Sequence, residues 1–103
     1  MKFGIGIATC REGWDAPAGF GTPKDIIKIV QEAERLGVDF VWGSDFISLT
    51  PNHQKRLPKT PNWYEVLISL AACSSVTKRI KLGIGVIVMP FREPIILAKQ
   101  LAT

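Results

Sequence analysis

Side chains able to do chemistry gather in three short segments, Thr9–Trp14, Gly43–Ser48 and Val86–Arg92. Between them they hold Cys10, Arg11, Glu12, Trp14, Ser44, Asp45, Phe46 and Arg92. Asp45 follows an apolar run in Gly43-Ser44-Asp45-Phe46. Its carboxylate has two readings: acceptor for a ligand N–H, or cap of the next turn, because Asp bonds nearby backbone N–H groups. Phe46 either lines an apolar slot or fills core. Cys10 has only Arg11 as a basic neighbour, so it reads as a buried thiol, since a nucleophile needs a stabilised thiolate. The only histidine, His53, stands in the basic run HQKRLPK with no His or Cys at ligand spacing. It reads as a surface residue, and no metal site is expected. Cys73 falls inside a helical pattern and reads as packing.

Glycines could also carry chemistry. Gly4 and Gly6 sit inside a strand-like run, whereas a dinucleotide fingerprint needs its glycines in the turn that opens a helix. That assignment fails, and no GxxxxGK[ST] sequence occurs. Gly83 and Gly85 lie in another strand-like run, where glycine weakens packing. They mark either the close approach of a planar ligand or relief of crowding.

The three segments need elements to hold them. Lys2–Ala8 alternates Phe3, Ile5 and Ile7 against Gly4 and Gly6, the period of two of a strand. Its bare face admits another backbone, a bulky side chain or a ligand. Cys10–Gly21 is a loop. Thr22-Pro23-Lys24-Asp25 signals a helix start, Ile26, Val30, Ala33 and Leu36 follow helical spacing, and Gly37 stops the helix. Val38–Trp42 predicts a second strand and Gly43–Pro61 a long loop. Asn62 is the expected cap of a second helix, with Glu65 as capping-box partner. Its buried stripe is Val66, Leu67, Leu70, Ala71 and Ser74. Ile80–Val88 predicts a third strand with Ile80, Leu82, Ile84, Val86 and Val88 on one face. Glu93-Pro94 opens a third helix, within which the chain stops.

This β-α-β-α-β-α order predicts parallel strands with right-handed crossovers. About three such units are present, whereas a (β/α)8 barrel needs roughly 250 residues. The expected fold class is therefore α/β, the N-terminal part of a TIM barrel, with residues 1–103 a partial domain truncated within helix 3. In such folds ligands bind at the carboxyl ends of the strands, where the three candidate segments fall.

Composition excludes other classes. The 103 residues are 47% hydrophobic and 21% charged, a globular balance and not a disordered one. The apolar runs fall far short of the ~20 residues of a membrane helix. The net charge of +4 is spread without interleaved aromatics, so no nucleic-acid partner is expected. Two cysteines without CxxC spacing suit a reducing cytoplasm.

Three stretches together resemble the bacterial luciferase-like family of flavin- and deazaflavin-dependent oxidoreductases. They are MKFGIGI with TPKDIIKIVQEAERLGVDFVWGSDF, WYEVLISLAACSSVTKRIKLGIGV, and VMPFREPIILAKQLAT. The resemblance covers essentially the whole chain in order. It implies a TIM barrel holding reduced FMN or coenzyme F420 at the strand carboxyl ends, with Ser44, Asp45, Gly85 and Val86 as cofactor-binding residues. Trp14 and Phe46 would face the substrate, and a non-prolyl cis peptide would fall at Gly85-Val86. Asp45 matches a position that contacts the deazaflavin in F420-dependent relatives. Several dehydrogenases of the family carry His after that Asp, where this chain has Phe46, which cannot transfer protons.

The function implied is monooxygenation or hydride transfer on a small organic substrate, by an enzyme of which this chain is the N-terminal portion. The 103 residues alone would then be inactive. No catalytic residue is singled out. The alternative is a non-catalytic fragment or assembly module, a homo-oligomer joined through open sheet edges.

Overall fold

The computed structural model describes every residue except Asp15 and Pro58, which fall in the two expected loops and lie outside the described residues. Its elements are β1 (Gly4–Gly6), α1 (Pro23–Arg35), β2 (Phe40–Gly43), α2 (Pro51–Gln54), α3 (Val66–Ser74), β3 (Lys81–Ile84) and α4 (Pro94–Leu101), with a 3-10 turn at Met89–Phe91. One parallel sheet has the order β1-β2-β3, pairing Ile5 with Val41 and Val41 with Leu82. The expected fold class holds: three parallel strands with intervening helices form an architecture that fits the opening part of a barrel.

Local sequence explains α1 fully. Thr22 caps it by accepting from Asp25 N–H, Asp25 Oδ2 accepts from Thr22 N–H at 2.9 Å, and Pro23 fills the first turn. Gly37 takes φ +83° just past the end, where a β-carbon would be strained. Ile26, Val30 and Ala33 are buried, but Leu36, expected on the same stripe, is 65% exposed because it lies beyond the last turn. Burying these side chains with Ile7, Val41, Val66, Leu70, Cys73 and Ile80 makes one core between the sheet and helices α1 and α3.

Four expectations need correction. The long loop Gly43–Pro61 contains α2, capped by Thr50. Helix α3 is capped by Glu65, whose own carboxylate accepts from Ile68 N–H at 2.7 Å, and not by Asn62. The physical reason is competition. Asn62 N–H donates to Glu12 Oε2 at 2.7 Å, Trp63 Nε1–H to Glu12 O at 3.0 Å and Tyr64 N–H to Thr9 O at 2.8 Å. Residues 62–64 are therefore held outside the helix, which begins only after Glu65. That start rotates the buried stripe to Val66, Leu70 and Cys73, leaving Ala71 and Ser74 exposed. Finally, β1 and β3 are shorter than Lys2–Ala8 and Ile80–Val88. β3 stops at Ile84, just before a cis peptide at Gly85-Val86, and Val86 is 74% exposed instead of sharing a covered face.

The other sheet face explains the glycines of β1. Gly4 pairs with Phe40 and Gly6 with Trp42. A β-carbon on Gly4 would collide with the Phe40 ring, so a bulky side chain occupies the bare strip there. A β-carbon on Gly85 would stand 3.1 Å from Trp42 Cδ1, so relief of crowding accounts for part of that glycine.

Glu34, at the end of α1, ties the far side of the fold. Its carboxylate accepts from the N–H groups of Lys78, Arg79 and Ile80, and its carbonyl accepts from the Arg79 guanidinium. Those backbone donors hold the Glu34 carboxyl below its ordinary value. The turn between α3 and β3 is thereby fastened to α1.

Candidate functional site

The carboxyl ends of the three strands are stitched by hydrogen bonds. Ile7 N–H donates to Trp42 O at 2.9 Å. Fully buried Thr9 donates its hydroxyl to Ser44 O at 3.0 Å and accepts from Ser44 N–H at 2.9 Å. Ser44 Oγ in turn donates to Gly85 O at 3.3 Å, while Gly85 N–H reaches Gly43 O at 2.9 Å. Asp45 N–H continues the pairing to Val86 O at 3.2 Å. Thr9, Ser44 and Gly85 thus form one rim from three strands. The cis Gly85-Val86 peptide lies on it, at the position the resemblance implies.

Asp45 is 2% exposed, and its carboxylate is engaged by partners far along the chain and not by the next turn. Oδ1 accepts from Arg92 Nη2 at 2.8 Å, and Oδ2 accepts from Arg92 Nε at 3.1 Å and Val88 N–H at 3.0 Å. Arg92 Nη2 also donates to Glu65 Oε1 at 2.8 Å. Its hydrogen bonds to the Glu65 and Asp45 carboxylates push the guanidinium above its ordinary value, so it stays charged. A bidentate Arg–carboxylate fork fixes orientation as well as distance. Asp45 therefore anchors the segment after β3 against the end of β2 and the start of α3.

Glu12 is a second buried carboxylate, 1% exposed. Burial alone would raise its pKa, but backbone N–H groups of Gly19, Asn62, Gly21 and Phe20 outweigh burial and lower it. It fastens the loop after β1 to residue 62, which is a structural task.

Rings form the outer wall. Trp14 and Phe46 have centroids 6.1 Å apart, and Phe46 and Trp63 5.2 Å, both tilted pairs. Phe46 is 46% exposed, so it lines a surface and does not fill core. With Cys10, Arg11, Trp14 and Ser44 it borders a cleft of about 260 Å³. Arg11 Nη1 reaches over Gly6, 3.4 Å from where a β-carbon would stand. Cys10 is buried, which pushes its thiol up. A weak contact to the Phe46 carbonyl opposes this and the Asp45 charge adds to it, so the group stays protonated. His53 stands at the edge of the wall, its ring 6.0 Å from Trp14 and its Nδ1 3.0 Å from Thr50 Oγ1.

Of the residues the sequence singled out, Ser44, Gly85, Val86, Trp14 and Phe46 meet at this end of the sheet, with Asp45 buried behind them. Thr9, Trp63 and Glu65 also belong to the site, at positions where residue type and spacing alone mark no such role. Thr9 stood within a candidate segment, and an opposite charge for Arg92 was a signal that Glu65 offered. Among the described residues no three His, Cys, Asp or Glu side chains cluster as a metal site, and no helix is long and apolar enough to cross a membrane.

Comparison with known proteins places these features. An F420-dependent glucose-6-phosphate dehydrogenase of Amycolatopsis mediterranei (strain U-32) is 29% identical over 92 residues, 88% of this chain. The match spans only 26% of that protein, about a quarter of its length. No solved structure matches the chain. A family model described as luciferase-like monooxygenase matches residues 1–103, from end to end, and the chain belongs to that family.

Proposed function

We propose that the chain is the N-terminal portion of an oxidoreductase that uses reduced FMN or coenzyme F420 on a small organic substrate. The observation that carries this reading is the luciferase-like match along the whole chain. The F420-dependent relative favours the deazaflavin of the two.

The rim suits a flat ring system. Gly83 and Gly85 present no side chains, Val86 and its peptide are exposed, and the half-buried Ser44 hydroxyl stands beside them. When bound, the cofactor supplies either hydride transfer or oxygen activation. This chain supplies position. Thr9 holds Ser44, Ser44 holds Gly85, and the Asp45–Arg92 fork holds the segment that follows. Asp45, which the resemblance makes a cofactor contact, also anchors the rim through Arg92 and Val88. Phe46 carries no proton, Cys10 keeps its own, and the Glu12 oxygens are engaged by backbone N–H groups. The side chains around the cleft therefore bind and orient, and proton transfer falls to residues of the longer protein.

Titrating the chain with F420 and with FMN, each followed by its own fluorescence, tests this. Weak saturable binding, roughly millimolar, is expected, with no turnover and further weakening in Ser44→Ala. Absence of saturable binding for both cofactors sinks the cofactor assignment. Turnover by the chain alone sinks the partial-domain assignment.

A further inference from the structure

Behind Trp14 lies a second cleft, separate from the rim of Ser44 and Gly85. Its volume is about 160 Å³, and its walls are Trp14, Trp63, Leu49 and Leu57. Leu57 is held over Gly13, whose φ of +83° and missing β-carbon leave room for the leucine methyls. At the buried end stands Glu12, with Oε2 2.7 Å from Asn62 N and Oε1 3.4 Å from Gly21 N. At the exposed end stand His53 and Arg56.

Charge then gives the cleft a direction. From Phe46 to Tyr64 the sequence holds Lys55, Arg56 and Lys59 and no Asp or Glu. Among the described residues no carboxylate pairs with Arg56. A negative group at the buried end would meet the Glu12 carboxylate, whereas one at the mouth would meet Arg56. A cation fits neither end well, because the Glu12 charge is already satisfied by backbone N–H groups and the mouth is basic. Aromatic walls with one cationic edge match a ligand with an apolar planar body and an anionic head.

We infer that this cleft binds an aryl carboxylate, ring inward between Trp14 and Trp63 and carboxylate outward at Arg56. Trp14 borders both clefts, so an occupant here touches the wall of the candidate active site. The site does not depend on the identity of the cofactor.

The test uses phenylacetate, benzyl alcohol and benzyltrimethylammonium as probes on the whole chain, read by the indole N–H signals of Trp14, Trp42 and Trp63 in NMR. Saturable shifts of Trp14 and Trp63 are expected, with phenylacetate tightest and the ammonium weakest. Arg56→Gln, at an exposed position that leaves the fold intact, should weaken phenylacetate about fivefold and leave benzyl alcohol unchanged. Added salt should act in the same direction. The inference is overturned if the ammonium binds as tightly as the carboxylate, if Arg56→Gln changes nothing, or if only Trp42 responds. Absence of any saturable shift with phenylacetate overturns it too.

Discussion

At the scale of single residues, the Asp45–Arg92 pair decides how the site is held. Asp45 is 1% exposed in its side chain and Arg92 12%, so the pair is little screened by solvent. Removing one partner of a buried pair leaves the other charge uncompensated, which costs more than the pair itself contributes. Arg92→Gln strands the buried Asp45 charge and should destabilise the chain by about 2–3 kcal/mol, whereas Asp45→Asn leaves Arg92 its Glu65 partner and should cost about 1–2 kcal/mol. The double variant should cost at least about 1 kcal/mol less than the two combined. Urea unfolding of the four proteins measures this. Additivity within about 0.5 kcal/mol would mean that the two side chains do not act together. Both residues were legible in the sequence as candidates at the same end of the strands. Their pairing was not, because it spans 47 positions and depends on how the segment after β3 turns back. No spacing rule reaches that far.

At the scale of elements, what the sequence predicted well is what local bonds decide. Thr22, Pro23 and Asp25 build the start of α1 among themselves, and Gly37 ends it, so four residues suffice to locate a helix. The start of α3 departs from its local signal because partners fifty residues away engage residues 62–64. Glu12 is the centre of that interaction, and its acid behaviour gives a check. Its pKa is lower folded than unfolded, so its contribution to stability is complete above the unfolded value, about 4.3, and is lost as pH falls through the folded value. Glu12→Gln should cost about 1–3 kcal/mol near neutrality, since an amide N–H must then face a backbone donor. The difference between wild type and variant should shrink as the pH is lowered below about 4. Thermal melts from pH 7 downwards read it directly. Asp25, Glu32 and Glu34 are also lowered, but they are present in both proteins and drop out of the comparison. A difference that stays constant with pH would show that the Glu12 charge is not what ties the two loops.

At the scale of the whole molecule, surface area carries the argument. A folded monomer of 11.4 kDa exposes about 5,800 Å² by the usual scaling, whereas this chain exposes 7147 Å². Its radius of gyration is 14.2 Å against about 13 Å for a compact domain of this length. The excess, roughly 1,400 Å², exceeds the ~800 Å² that one partner gives to a standard interface. Much of it is apolar: Phe3, Phe40, Phe91, Ile95, Ile96 and Leu101 are each between 38% and 77% exposed. Apolar surface of this kind favours association in water, and the outer edges of β1 and β3, unpaired among the described residues, add backbone donors and acceptors to it. The same surface would be covered by further strands and helices in a protein the length of the F420-dependent relative. In the chain by itself, a second copy would cover it. Sedimentation equilibrium should therefore show mass rising with protein concentration, and an apolar dye such as ANS should bind and be displaced as the chains associate. Placing a charge on the exposed sheet face, as in Phe40→Lys, should lower the association without unfolding the core, since Phe40 packs on Gly4 and Trp42 and not on the buried cluster. A chain that stays monomeric at every concentration and binds no dye would refute the argument from area. The excess would then be surface that loops of a single copy tolerate.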